Sequence, residues 1–228
     1  MSVDAYICGC SFSTGYYSTK TKPWQYTFND PYVEIHCRRN NLTYTNLAFL
    51  GASNYAIIKQ VMYAISQKPK VIYVNLTTIF RFDFTKPEDR LTSRPTLADI
   101  IYTHGMKHPI SSERQPKILS MPFFTIEAML KDRVFNEYVI TYVDPYVQAD
   151  YNRLMLLGMF SILERSGIPH YIVNFSPDFT VGFSKAMLHH DWNDMVEKFP
   201  IETDPNHFNQ DGHNVLAGIL DRHVSNMR

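Results

Sequence analysis

Four short apolar runs, separated by stretches with helical spacing, constrain the fold of this chain more than any other feature. Ala5-Tyr6-Ile7-Cys8 ends at a glycine; a second run covers residues 43–50 and also ends at a glycine. A third, residues 71–76, opens Val-Ile-Tyr-Val, and a fourth covers 170–175. Short, nearly continuous runs rich in β-branched and aromatic residues are the form of strands buried on both faces. Between the second and third, Ser53 is placed to cap a helix over 54–66, with Ile57, Ile58, Val61, Met62 and Ile65 at helical spacing. Helical patterning returns near 124–138 and more strongly over 145–166, where Leu154, Leu157, Met159, Ile162 and Leu163 supply an apolar face. Gly167-Ile168-Pro169 stops that helix. A closing helix over 211–225 is expected to bury Val215, Leu216, Ile219 and Leu220. Strands alternating with helices in this way require right-handed crossovers. The predicted class is therefore α/β, a three-layer α/β/α arrangement with a parallel central sheet.

In such a sheet the ligand crevice lies beyond the carboxyl ends of the strands. Ser11, Gly51, Thr77-Thr78 and Ser176-Pro177 all follow strands closely, so they are expected to converge there. The chain has 228 residues, which suits a single domain over 1–228. The rhythm breaks from Phe82, in a stretch rich in Pro, Arg, Thr and His. Residues 82–140 are read as a surface insertion, a lid or a contact arm.

Composition narrows the function classes. Apolar residues make up 45% and charged residues 19%, which excludes a disordered chain. A formal net charge of +0 gives no footprint for a polyanion, so nucleic acid is not an expected partner. Arg38-Arg39, and Arg90 with Arg94, are read as solvated loops. Three cysteines, Cys8, Cys10 and Cys37, cannot all pair and lack metal-type spacing, which points to a reduced compartment. No secretory signal and no run of membrane-spanning length is visible. A cytoplasmic protein with no membrane partner, no metal and no cofactor is expected; the sequons at Asn41 and Asn75 are then chance matches.

Two local patterns carry chemistry. One is Gly9-Cys10-Ser11-Phe12-Ser13, at the exit of the first run; the other is Asp204-Pro205-Asn206-His207, followed by Gly212. A serine hydroxyl is a poor nucleophile until a histidine accepts its proton, and that histidine needs an acid to fix its tautomer. Ser11, His207 and Asp204 can supply the three roles, with Asp204 and His207 drawn from one turn. The oxyanion then needs fixed donors: the backbone N–H groups of Ser11 and Gly51, with Asn54 as first side-chain choice and Thr78 or Asn75 as second. Each piece alone is an ordinary turn or helix cap; the argument rests on their joint occurrence. Rival readings are Cys10 as a thiolate nucleophile and His213 as the base. His104 and His108 have a zinc-like spacing but no third ligand, and His189-His190-Asp191 is read as a polar helix face. Tyr16, Tyr17, Trp24 and Tyr26 beside the nucleophile suit a sugar-binding platform.

These motifs resemble the SGNH/GDSL hydrolases. The family's Gly-Asp-Ser-x-Ser block is similar to Gly9-Cys10-Ser11-Phe12-Ser13, its oxyanion-glycine block to residues 46–54, and its Asp-x-x-His block to residues 204–212. Cysteine in the first block with Gly-Ala-Ser-Asn in the second is similar to sequences common in bacteriophages. The resemblance implies a flavodoxin-like fold and a serine esterase removing an O-acyl group, O-acetyl above all, from a small molecule or carbohydrate by a Ser-His-Asp triad. It also implies a virion-associated location if the chain is phage-encoded. Two departures stand out. Cys10 replaces the aspartate beside the nucleophile, and Thr77-Thr78-Ile79-Phe80-Arg81 occupies the place of the Gly-x-Asn-Asp block. Arg81 is then either a cationic clamp on substrate or a surface partner of Asp83. The departures keep two alternatives open: a catalytically silent SGNH-like binding or assembly domain, and an acyltransferase using the same triad. The oligomeric state is not specified.

Overall fold

The computed structural model describes residues 3–14, 16–18, 26–49, 52–77, 82–83, 123–124, 145–175, 187–190, 192–201 and 204–227. In chain order these form β1 (Ala5–Cys8), α1 (Ser11–Thr14), β2 (Tyr16–Ser18), β3 (Tyr26–Phe28), α2 (Tyr32–Arg39), β4 (Tyr44–Asn46), α3 (Asn54–Ser66), β5 (Val71–Leu76), β6 (Phe82–Asp83) and β7 (Phe123–Phe124). Then follow α4 (Pro145–Ser166), β8 (His170–Asn174), β9 (Met187–His189), α5 (Trp192–Lys198), β10 (Pro200–Ile201), β11 (Asp204–Phe208) and α6 (Gln210–Met227).

The central sheet has the order β4-β1-β5-β8-β9, and every neighbouring pair in it is parallel. This is the expected α/β architecture. Every residue of β1 and β5 is buried, which is why both read as unbroken apolar runs rather than alternating ones. α3 packs with α4, and α2 with α6. The chain leaves β1 for β4 on one side, then returns through α3 to β5 on the other. The carboxyl end of β1 is thus a topological switch point, where parallel sheets of this type open a crevice. Ser11 stands there.

Local rules account for the helix ends. Ser53 caps α3, its side chain accepting from the Ala56 N–H at 3.1 Å. α4 ends before Gly167, whose φ of 67° lies in the left-handed region that glycine adopts without strain. At the opposite end of the sheet Asp4 joins three strands. Its carboxylate accepts from the Thr43 N–H and hydroxyl and pairs with Lys70 at 2.7 Å.

Several expectations change. β9 is a fifth sheet strand where His189-His190 was read as a helix face; three residues are too few to show a period. The run at 43–50 pairs as a strand only over Tyr44–Asn46, although Leu47 and Phe49 still donate to the Ile7 and Gly9 carbonyls. Arg38 and Arg39, read as a solvated loop, end α2 instead. On the helices, Met62, Leu154, Ile162 and Val215 face solvent instead of the core. The helix expected near 124–138 lies outside the described residues apart from Phe124, which belongs to β7. So do most of residues 82–140, the stretch expected to be an insertion.

Candidate active site

Ser11 opens α1 directly after β1, and His207 lies on β11, which pairs antiparallel with β10. Ser11 Oγ and His207 Nε2 are 2.8 Å apart, a hydrogen bond across 196 residues of sequence. With the proton on Nδ1, the serine hydroxyl donates to Nε2, the polarity that activates a nucleophile. The His207 ring is seated by Phe12, the residue after the serine, with centroids 5.0 Å apart. Phe12 also contacts Phe175 at 5.2 Å and stacks on Phe208 at 5.6 Å. The neighbour of each reacting residue therefore packs against the neighbour of the other.

The serine turn is held by polar groups of which the sequence reading had singled out only Asn75, and that in another role. Gln60, on the core side of α3, accepts from the Gly9 N–H at 2.7 Å and donates to the Gly9 carbonyl at 3.3 Å. Ser13 Oγ donates to Asn75 Oδ1 at 3.1 Å, and Thr14 Oγ1 donates to the Ser11 carbonyl at 2.9 Å. Asn46 Nδ2 donates to the Ser13 carbonyl at 2.6 Å and to Glu34 at 2.8 Å. Glu34 is itself buried and also accepts from the Tyr44 hydroxyl at 2.7 Å. Burial first, then that carboxylate, pushes the Tyr44 hydroxyl up to about 12. Cys10 is fully buried among these groups. Gln60, Asn75 and Asn46 thus tie the serine turn to α3, β5 and β4. Gln60 left one signal in the sequence: it is a polar residue on the apolar face that contains Ile57, Val61 and Ala64.

The other expected site residues fare differently. Both ends of the Asn54 amide are tied to one residue: Nδ2 donates to the Thr77 carbonyl and Oδ1 accepts from the Thr77 N–H, each at 3.0 Å. This gives Asn54 a bracing role at the exit of β5. Asn75, the second choice, is likewise engaged, with Nδ2 donating to the Leu76 carbonyl at 3.0 Å. His213, the rival base, is engaged elsewhere. Burial, and then the neighbouring His207, lower its pKa to about 3, and Nδ1 accepts from the Tyr32 N–H at 3.3 Å. Asp204 belongs to a strand rather than a helical turn, and its side chain lies outside the described residues. The side chains of Tyr16, Tyr17 and Tyr26, and residues Gly51, Thr78, Arg81, Trp24, His104 and His108, lie outside them too. Among the described residues, no group of three or more His, Cys, Asp or Glu could hold a metal ion, and no helix is long and apolar enough to cross a membrane.

No protein-family model and no curated protein matches the chain. Among solved structures it is similar to a family two carbohydrate esterase from Clostridium thermocellum in complex with cellohexaose. Identity there is 16%, with 98% of this chain and 63% of that one covered and a TM-score of 0.42. It is also similar to a carbohydrate esterase family 2 enzyme plus carbohydrate-binding domain from Corynascus thermopiles (Myceliophthora fergusii). In that case identity is 14%, coverage 97% and 66%, and the TM-score 0.44. The chain thus spans about two thirds of each of these structures' length.

Proposed function

We propose that the chain is a serine esterase of the SGNH/GDSL type, cleaving an O-acyl ester, with an O-acetylated carbohydrate as the favoured substrate class. The observation that carries this reading is the 2.8 Å contact between Ser11 Oγ and His207 Nε2 at the switch point of the sheet.

In the proposed mechanism Ser11 Oγ attacks the acyl carbon as its proton passes to His207 Nε2. The carbonyl oxygen takes up the negative charge and is met by the backbone N–H groups of Ser11 and Gly51. Collapse expels the alcohol, which receives the proton from His207 and leaves an acyl-Ser11 ester. Water, deprotonated by His207, then attacks that ester and releases the carboxylic acid, restoring the serine hydroxyl. Asp204 is proposed to hold the Nδ1 tautomer, Thr78 to add an oxyanion contact, and Arg81, Tyr16 and Trp24 to meet the substrate. The carbohydrate assignment rests on the family resemblance and the aromatic residues after Ser11.

Turnover of p-nitrophenyl acetate tests the reading. Ser11→Ala and His207→Ala are each expected to abolish it; equal rates in all three proteins sink the hydrolase assignment. A silent binding domain is the second reading, favoured by the burial of Ser11 and by Cys10 in the aspartate's position. It predicts that equality. Acyl transfer predicts product that depends on an added sugar acceptor.

A further inference from the structure

α4 turns its core side inward through Leu156, Met159, Phe160 and Leu163, all buried. At 3.6 residues per turn the opposite side runs through Tyr151, Leu154, Gly158 and Ile162. The three side chains on that line are 59%, 63% and 42% exposed. The outward face of a surface helix is ordinarily polar, and a row of large apolar groups in solvent marks an interaction surface.

Gly158 lies at the middle of the row. A Cβ there would meet nothing within 4 Å, so the packing of the protomer gives no reason for a glycine inside a 22-residue helix, where it weakens the helix. Charges bracket the row: Asp150 and Arg153, ion-paired at 2.7 Å, stand before it, and Glu164 and Arg165 after it. Turning a second copy of the helix antiparallel about Gly158 brings Leu154 opposite Ile162. The same operation sets Asp150 beside Arg165, opposite charges. Each contact occurs twice, as a two-fold interface requires.

We propose that α4 is a self-association surface, pairing antiparallel with α4 of a second copy and crossing at Gly158. The pairing is independent of the hydrolase reading. Glycine permits the two backbones to approach at the crossing, the apolar residues close the seam, and the flanking charges set the direction.

Sedimentation velocity on the full chain, from about 1 to about 100 µM, tests the pairing in the range where interfaces of modest size dissociate. The wild type is expected to run as a dimer at the upper end. Leu154→Arg should weaken association by about tenfold or more and leave thermal melting unchanged, since Leu154 is exposed. Gly158→Leu separates a specific crossing from a merely adhesive patch: it adds apolar surface, yet should weaken pairing by blocking close approach. Asp150→Arg should weaken it as well, and adding Arg165→Asp should restore it. A wild type that stays monomeric throughout overturns the proposal and leaves the face to another occupant. Association strengthened by Gly158→Leu, or no recovery in the double charge exchange, also overturns it.

Discussion

Replacing Gln60 with leucine removes the clamp on Gly9 while nearly preserving side-chain volume. The Gly9 N–H, held at 2.7 Å, then has its donor buried without that acceptor; the carbonyl loses the 3.3 Å contact but keeps the Phe49 N–H at 3.4 Å. One buried, unsatisfied donor costs about 1–3 kcal/mol, so about 2 kcal/mol is expected. For a chain of this size that lowers Tm by about 6 °C, at about 3 °C per kcal/mol. Gln60→Ala should cost about 1–3 kcal/mol more, because it also opens a cavity. The kinetic effect follows from position: Gly9 is two residues before Ser11, and displacing a nucleophile by about 1 Å costs on the order of 100-fold. Thermal melting and p-nitrophenyl acetate kinetics on Gln60→Leu check both parts, with kcat expected to fall about tenfold or more and KM to change little. A Tm within about 1 °C of wild type refutes the clamp. A lowered Tm with unchanged kcat refutes its role in placing the serine.

Three further outcomes are expected. His213 is held neutral in the fold with a pKa of about 3, below its unfolded value of about 6.5, so the unfolded chain binds the proton more readily between these limits. Stability is therefore lost as pH falls below about 6.5, by about 2 kcal/mol at pH about 5, and urea denaturation of His213→Gln should show a flatter pH dependence. Burial raises the Asp221 carboxyl, but hydrogen bonds from His36 and Arg39 outweigh it and hold the group below its ordinary value. Asp221→Ala, which strips the 2.5 Å contact from the buried His36, should cost about 2 kcal/mol, and Arg39→Ala less than about 1 kcal/mol, both read by urea denaturation. Gly212→Ala places a Cβ 2.9 Å from Phe208 Cδ2 and 3.1 Å from Phe199 Cβ. It should lower both Tm and esterase kcat, and an unchanged Tm contradicts the close packing.

β1, β5 and β8 were legible because they are buried almost throughout and therefore read as unbroken apolar runs, whereas the three-residue β9 was not. Nor was α2, and the reason is physical. Its buried residues include Glu34 and His36, whose partners are Asn46 and Tyr44 for one and Asp221 and Tyr73 for the other. Asp221 is 185 residues away, so no local window shows that these polar groups will be satisfied in the interior. The same limit explains Leu154 and Ile162. Periodicity counts apolar residues on α4 without revealing which of two apolar stripes meets the core. The serine turn was partly legible: its motif pointed to Ser11, but Gln60 and Asn46 act through backbone contacts that leave only a polar residue in an unexpected place.

The glycines in the two motifs give those motifs a mechanical meaning. A Cβ on Gly9 would lie 2.7 Å from Ser13 Oγ and 3.0 Å from Asn75 Cβ, so this glycine lets the serine turn lie against β5. A Cβ on Gly212 would strike Phe208, the residue after His207, so that glycine lets α6 close on the histidine strand. Phe12 and Phe208 then stack, carrying the position set at one contact to the position set at the other. The distance between Ser11 and His207 is consequently fixed by two close backbone approaches and one ring pair. Substitution at either glycine should lengthen that distance without removing either reacting group, and should do so more than truncation of an exposed side chain on the same elements.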